Sequence, residues 1–165
     1  MGTLIGIHLE DVFSPDASQA DSSRALRNLL EYMVRQNMDD RRYHPEFPSL
    51  YRSGVVYART TWWEPIPALF RRGKGDCKSL ATALVAEYRL EGVWAVPVHR
   101  WIRNEDGTTD YHILVQSESG WEDPSRRLGM GYHENARFYG EHSGGDADFL
   151  INHRRRLASA RRRFW

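Results

Sequence analysis

The chain has 165 residues, 41% of them hydrophobic, 12% aromatic and 27% charged, which suits one globular domain with its own core and excludes a wholly disordered chain. Its one cysteine excludes an internal disulfide and a multi-cysteine zinc site, and points to a reducing compartment. The net charge of +1 hides a split, because residues 154–165 hold six arginines and no acid, leaving 17 basic against 22 acidic residues before them.

In chain order, the first ten residues carry no basic segment ahead of their apolar ones, so they do not read as a signal peptide. Residues 10–23 are loop-like, and Asp21 or Ser22 is a candidate helix cap. Leu26, Leu29, Leu30, Met33 and Asn37 follow at helical spacing, with Arg24, Arg27, Glu31 and Arg35 largely off that stripe. This helix is expected to be scaffold, with no site on it. Residues 38–53 contain His44-Pro45 and Pro48 and read as irregular chain. Gly54–Tyr57 is a short strand candidate, and Thr60–Pro67 is aromatic and broken by prolines.

After Gly73-Lys74-Gly75-Asp76, Cys77 opens a helix with Leu80, Ala81, Leu84, Val85 and Tyr88 on one stripe and Gly92 past its end. Residues 93–102 and 111–116 read as two strands joined by a turn at Asn104–Gly107. Trp121–Asp123 begins a third extended piece, which Pro124 stops. Residues 126–147, with five glycines, read as a long loop, and a last helix is expected from Asp146 or Asp148. The pattern predicts a single domain over 1–165, with its core at about 24–130 and a loop plus an Arg-rich helix or tail over 131–165. The tail, Arg154–Arg163, suits an acidic partner or nucleic acid, or simply a solvated helix end. Mean hydropathy is −0.65 and no apolar run approaches the ~18 residues of a membrane span, so no membrane partner is expected.

The chemistry lies around Cys77. At the start of a helix, free backbone N–H groups and the positive end of the helix dipole stabilise a thiolate, and Lys74 and Lys78 add positive charge. The glycines on either side of Lys74 are expected to let the chain turn tightly and leave the sulfur approachable. A cysteine nucleophile needs a base, and the base needs an orienting group. His112 on the second strand and Asp123 on the third piece supply both, if the helix packs on this meander. His99 on the neighbouring strand is the weaker base. The plain alternatives are an inert buried cysteine, a satisfied core histidine and a turn aspartate. No HExxH pattern, paired-histidine spacing, P-loop or dinucleotide fingerprint occurs, so neither metal nor cofactor is expected.

Gly75-Asp76-Cys77 heading a helix, Tyr111–Val115 around His112, and Trp121-Glu122-Asp123-Pro124-Ser125 together resemble the transglutaminase-like branch of the papain-like cysteine superfamily. The resemblance covers about residues 54–130. It implies an α+β fold with a papain-like, transglutaminase-like core, the nucleophile standing at the N-terminus of a helix packed on an antiparallel sheet. It implies Cys77 as nucleophile, His112 as general base and acid, and Asp123 as orienter. Oxyanion donors would be the Cys77 N–H and an indole, Trp63 or Trp62, since transglutaminases use a tryptophan this way; hydrophobic packing is the plain alternative for both. His44–Tyr51, Gly54–Tyr57, Trp63 and Asp123–Met130 extend the likeness to small transglutaminase-like proteins of bacteriophage structural gene clusters. Many of those carry acids just after the cysteine, where this chain has Lys78-Ser79.

The expectation is therefore a cysteine peptidase or acyl-transfer enzyme acting on protein, peptide or other amide substrates. Its setting would be the cytoplasm of a bacterial host, or association with a virion during assembly. The alternatives are a crosslinking transamidase, an arylamine acetyltransferase-like acyl carrier, and a non-catalytic virion or assembly protein that keeps the fold.

Overall fold

The computed structural model describes residues 18–139 and 143–145. The Arg-rich tail, the N-terminal ten residues and the helix expected from Asp146 or Asp148 lie outside the described residues.

Helix α1 spans Gln19–Tyr43. Ser18, rather than Asp21 or Ser22, is its cap, accepting a hydrogen bond from Asp21 N–H, and Ser22 and Ser23 are buried inside the helix. The helix continues six residues past Asn37. It stops at His44, because the residue before a proline disfavours helical backbone. Asn37, fully buried, ties three helices together: its amide donates to Thr82 Oγ1 and its oxygen accepts the N–H of Ile66.

A single 3-10 turn at Leu50–Arg52 precedes β1, Val56–Tyr57. Ile66–Arg72 then forms α2, a helix that the aromatic and proline-broken pattern did not suggest. Its prolines sit at the N-cap and in the first turn, where a missing N–H costs nothing. Lys74–Gly75 is β2, parallel to β1. Helix α3, Cys77–Leu90, is capped by Asp76, and Gly92 at φ 79° ends it in a Schellman arrangement, with Val93 N–H on Tyr88 O and Gly92 N–H on Arg89 O.

The remaining strands form an antiparallel sheet in the order β5-β4-β3-β6, with β3 at Ala95–Arg103, β4 at Thr109–Ser117, β5 at Gly120–Glu122 and β6 at Ser143–Gly145. The architecture is α+β. Residues alternate across β4, so Tyr111, Ile113 and Val115 turn towards the main core with α1 and α3, where Leu30, Val34, Leu80 and Leu84 lie fully or almost fully buried. His112 and Leu114 turn the other way. That second face is not solvent, since every residue from His112 to Ser117 is buried. Residues 131–139, expected as loop, cover it with α5 at Tyr132–Ala136 and a 3-10 turn at Arg137–Tyr139, whose Phe138 carbonyl accepts from Arg100 Nε. A four-residue helix, α4, Pro124–Arg127, links β5 to this cover.

One buried ion pair joins the helical layer. Glu87 on α3 receives Arg41 of α1 and also the N–H of Leu50 at 2.6 Å. Both side chains are only about a tenth exposed. Truncating one partner leaves the other charge buried and unpaired. Glu87→Ala is therefore expected to lower stability by about 3 kcal/mol. Urea denaturation should show a lower midpoint with an unchanged slope.

Candidate active site

Cys77 is the first residue of α3, so its N–H belongs to the helix's first turn and has no intrahelical acceptor. The turn before it is shaped by packing more than by backbone freedom. Gly73 caps α2 at φ 66°, whereas Gly75 has no positive φ. A Cβ at Gly75 would collide with Leu69 Cδ1, so the glycine is there to let the strand lie against α2. Lys74 is exposed and does not line the cavity around the cysteine. Lys78 does line it, but its ammonium is engaged by Asp76 and by Thr60 O at 2.9 Å, beneath the ring of Trp63. Burial pushes the Asp76 carboxyl up, and Lys78 opposes that. Ser79 Oγ accepts from Glu64 N–H. The Lys78-Ser79 pair that departs from the phage-type pattern thus has local structural partners.

The three predicted residues meet. β5 pairs with Val115–Ser117, and among the described residues no strand continues along that edge of β4. There the Cys77 Sγ lies 3.9 Å from the Tyr111 carbonyl oxygen. Continuing the β4–β5 register places Asp123 opposite Leu114, on the same face as His112. His112 Nε2 and Asp123 Oδ2 are 2.9 Å apart, with the imidazole 1% and the carboxylate 12% exposed. With Nε2 turned to Asp123, Nδ1 is the ring nitrogen left for the thiol. Burial alone would push His112 down, but the hydrogen bond to Asp123, aided by the thiol, raises it to about 9. Burial raises Asp123, and the hydrogen bond and charge of His112 outweigh it, so the carboxyl ends below its ordinary range.

Other residues complete the site. Phe138 stacks on the His112 ring, with centroids 5.0 Å apart and planes at 29°. Asn135 Nδ2 stands 2.5 Å from Asp123 Oδ2. Glu122, next to Asp123, accepts from Tyr51 and Tyr88 hydroxyls, both at 2.6 Å, and from Arg127 at 3.1 Å. Burial, reinforced by Glu122, pushes Tyr88 up to about 12, so it stays a donor at neutral pH. Sequence reasoning missed Asn135 and Phe138, because they lie in a glycine-rich stretch with no usable period. It missed Glu122 as a clamp, because neither tyrosine is near it in the chain.

Cys77 and His112 line a cavity of about 390 Å³, with apolar and aromatic walls from Leu26, Tyr57, Trp63, Tyr111, Ile113 and Phe138. Leu26 brings α1, expected to carry no site, to the cavity wall. Of the two indole candidates for the oxyanion, Trp63 lines the cavity; Trp62 is 62% exposed and does not. His99 is fully buried with Nε2 3.2 Å from Ser23 Oγ and does not line the cavity. Among the described residues, no group of three or more His, Cys, Asp or Glu side chains is placed to hold a metal ion, and no helix is long and apolar enough to cross a membrane.

A histidine held above its unfolded value adds stability that is complete below pH 6.5 and is lost as pH rises through about 9. The melting-temperature difference between wild type and His112→Ala should therefore shrink across pH 6.5–9. A pH-independent difference would contradict the pairing. No protein-family model, curated protein or solved structure matches this chain.

Proposed function

We propose that the protein is a thiol acyl-transfer enzyme of the transglutaminase-like, papain-like type, acting on peptide or other amide bonds. One observation carries the reading: a cysteine at a helix N-terminus and a buried, carboxylate-bound histidine open into one cavity large enough for a side chain.

Cys77 Sγ attacks the amide carbonyl carbon, and its proton passes to His112 Nδ1. Asp123 holds the Nε2–H and stabilises the imidazolium. The developing oxyanion faces the Cys77 N–H, with the Trp63 indole as second donor. The C–N bond breaks, the leaving amine takes the proton from His112, and a thioester remains on Cys77. Water then releases an acid, or an amine forms a new amide; His112 takes the proton from either acceptor, and the thiol recovers one. The likeness to bacteriophage proteins makes virion assembly the proposed setting.

Cys77→Ala should abolish covalent labelling and turnover while leaving the melting temperature close to wild type. His112→Ala should slow alkylation by iodoacetamide at neutral pH about tenfold or more, since the thiol loses its proton acceptor. Asp123→Asn should affect alkylation less and turnover severely, and the double variant should be little worse than His112→Ala. Alkylation that becomes faster in His112→Ala, together with a lower melting temperature, would mean that the histidine merely packs over an inert cysteine.

A further inference from the structure

The Asp123 carboxylate is surrounded by donors. Oδ1 accepts the N–H of Arg126 at 3.1 Å. Oδ2 accepts His112 Nε2–H at 2.9 Å and the Asn135 amide at 2.5 Å. The same Asn135 nitrogen is 3.3 Å from His112 Nε2 and 3.7 Å from Met130 Sδ. Because Nε2 gives its proton to Asp123, the 3.3 Å approach is two donors converging on one oxygen. The amide orientation follows, since the opposite flip would set an amide oxygen against a carboxylate oxygen. Asn135 is 6% exposed, and its side-chain amide lies against Asp123, His112 and Met130, the last two of which line the cavity.

We infer that Asn135 is a positioning residue for the acyl transfer: its amide donor, acting through Asp123 Oδ2, limits the negative charge that the carboxylate lends to His112 and fixes which oxygen His112 meets. The inference rests on the proposed acyl-transfer reading. It answers a chemical need of that reading. One imidazole must take a proton from the thiol and then give it to a leaving amine, so it must not hold that proton too tightly. A largely buried carboxylate aimed at Nε2 alone stabilises the imidazolium without limit from other donors. A second donor on the same oxygen draws off part of that charge. The other charged or titratable groups around the pair are Cys77 from α3, Arg126 from α4, Arg100 from β3, and Tyr139, with Tyr57, Arg59, Asp76, Lys78, Tyr111, Glu134 and Arg137 lining the same cavity. All of them remain when Asn135 alone is changed.

The test is the pH dependence of Cys77 alkylation by iodoacetamide in the full-length chain, measured beside melting curves, for wild type, Asn135→Leu and Asn135→Ala. The leucine keeps the branched shape, fills the space and removes the donor; the alanine removes both bulk and donor. The upper inflection, set by loss of the imidazolium proton, should move up by about half a unit or more in both variants. A space-filling role predicts something different: an unchanged inflection in both, or a shift only in Asn135→Ala, and either result overturns the inference. In wild-type protein labelled with nitrogen-15, the Asn135 side-chain amide resonances should move with the same inflection, and resonances indifferent to it overturn the inference without any variant. If wild-type alkylation has no upper inflection and is indifferent to His112→Ala, the acyl-transfer reading fails first, and that outcome is distinct from the others.

Discussion

Asp123 has one carboxylate and two tasks. Through Oδ1 it caps α4, the short helix that turns the chain away from β5, and through Oδ2 it holds the imidazole of His112. The cap and the histidine bond constrain each other. The capped turn fixes the carboxylate plane, and that plane decides which nitrogen of His112 faces the thiol. A buried histidine on a strand would otherwise be free to turn over. The residue on either side of Asp123 is also held: Glu122 by two tyrosine hydroxyls and Arg127, and Pro124 by its own fixed φ. The segment is thus held on both sides although β5 and α4 are each only three or four residues long.

The thiol is placed by an independent route. Asp76 caps α3 and engages Lys78, and Gly75 lets the preceding strand lie against Leu69. The thiol and the imidazole therefore come from two parts of the fold, α3 and β4, that meet beside Tyr111. Most of the charge near the mouth is locally partnered. Lys78 is committed to Asp76 and Thr60, while Arg59 and Arg137 share Asp110. Glu134 accepts from the Tyr57 hydroxyl, which burial, reinforced by Glu134, keeps protonated. The walls between these groups are apolar and aromatic, which lowers the local dielectric around the imidazole and strengthens its bond to Asp123.

Much of this was legible in the chain. Cys77 before an apolar stripe, Gly92 after it, and the turn at Asn104–Gly107 between two β-rich segments each rest on short-range rules, and the elements formed where those rules put them. Errors arose where long-range contacts outweighed local signals. Helix α1 runs on to Tyr43 because Asn37 and Arg41 find partners on α2 and α3, which no period in α1 announces. Helix α2 forms despite its prolines because both stand at its start. The stretch from Gly131 to Tyr139 sits among the glycines of 126–147 and reads as loop, yet it folds because the second face of the sheet must be covered.

The sequence by itself determined the order and chemical identity of the site: a lone cysteine at a helix start, then a strand histidine, then an aspartate before a proline. Those features are local, and local chemistry is written in neighbouring residues. Only the tertiary structure decided the rest. It brought Cys77 to the Tyr111 carbonyl of β4, laid Phe138 on the imidazole, and turned Asn135 onto the same oxygen that His112 uses. These contacts join residues from 12 to 34 positions apart and depend on how a helix, a strand and a cover of short helical turns pack against one another. Packing of that kind is set by the whole core at once, so no single stretch of sequence records it.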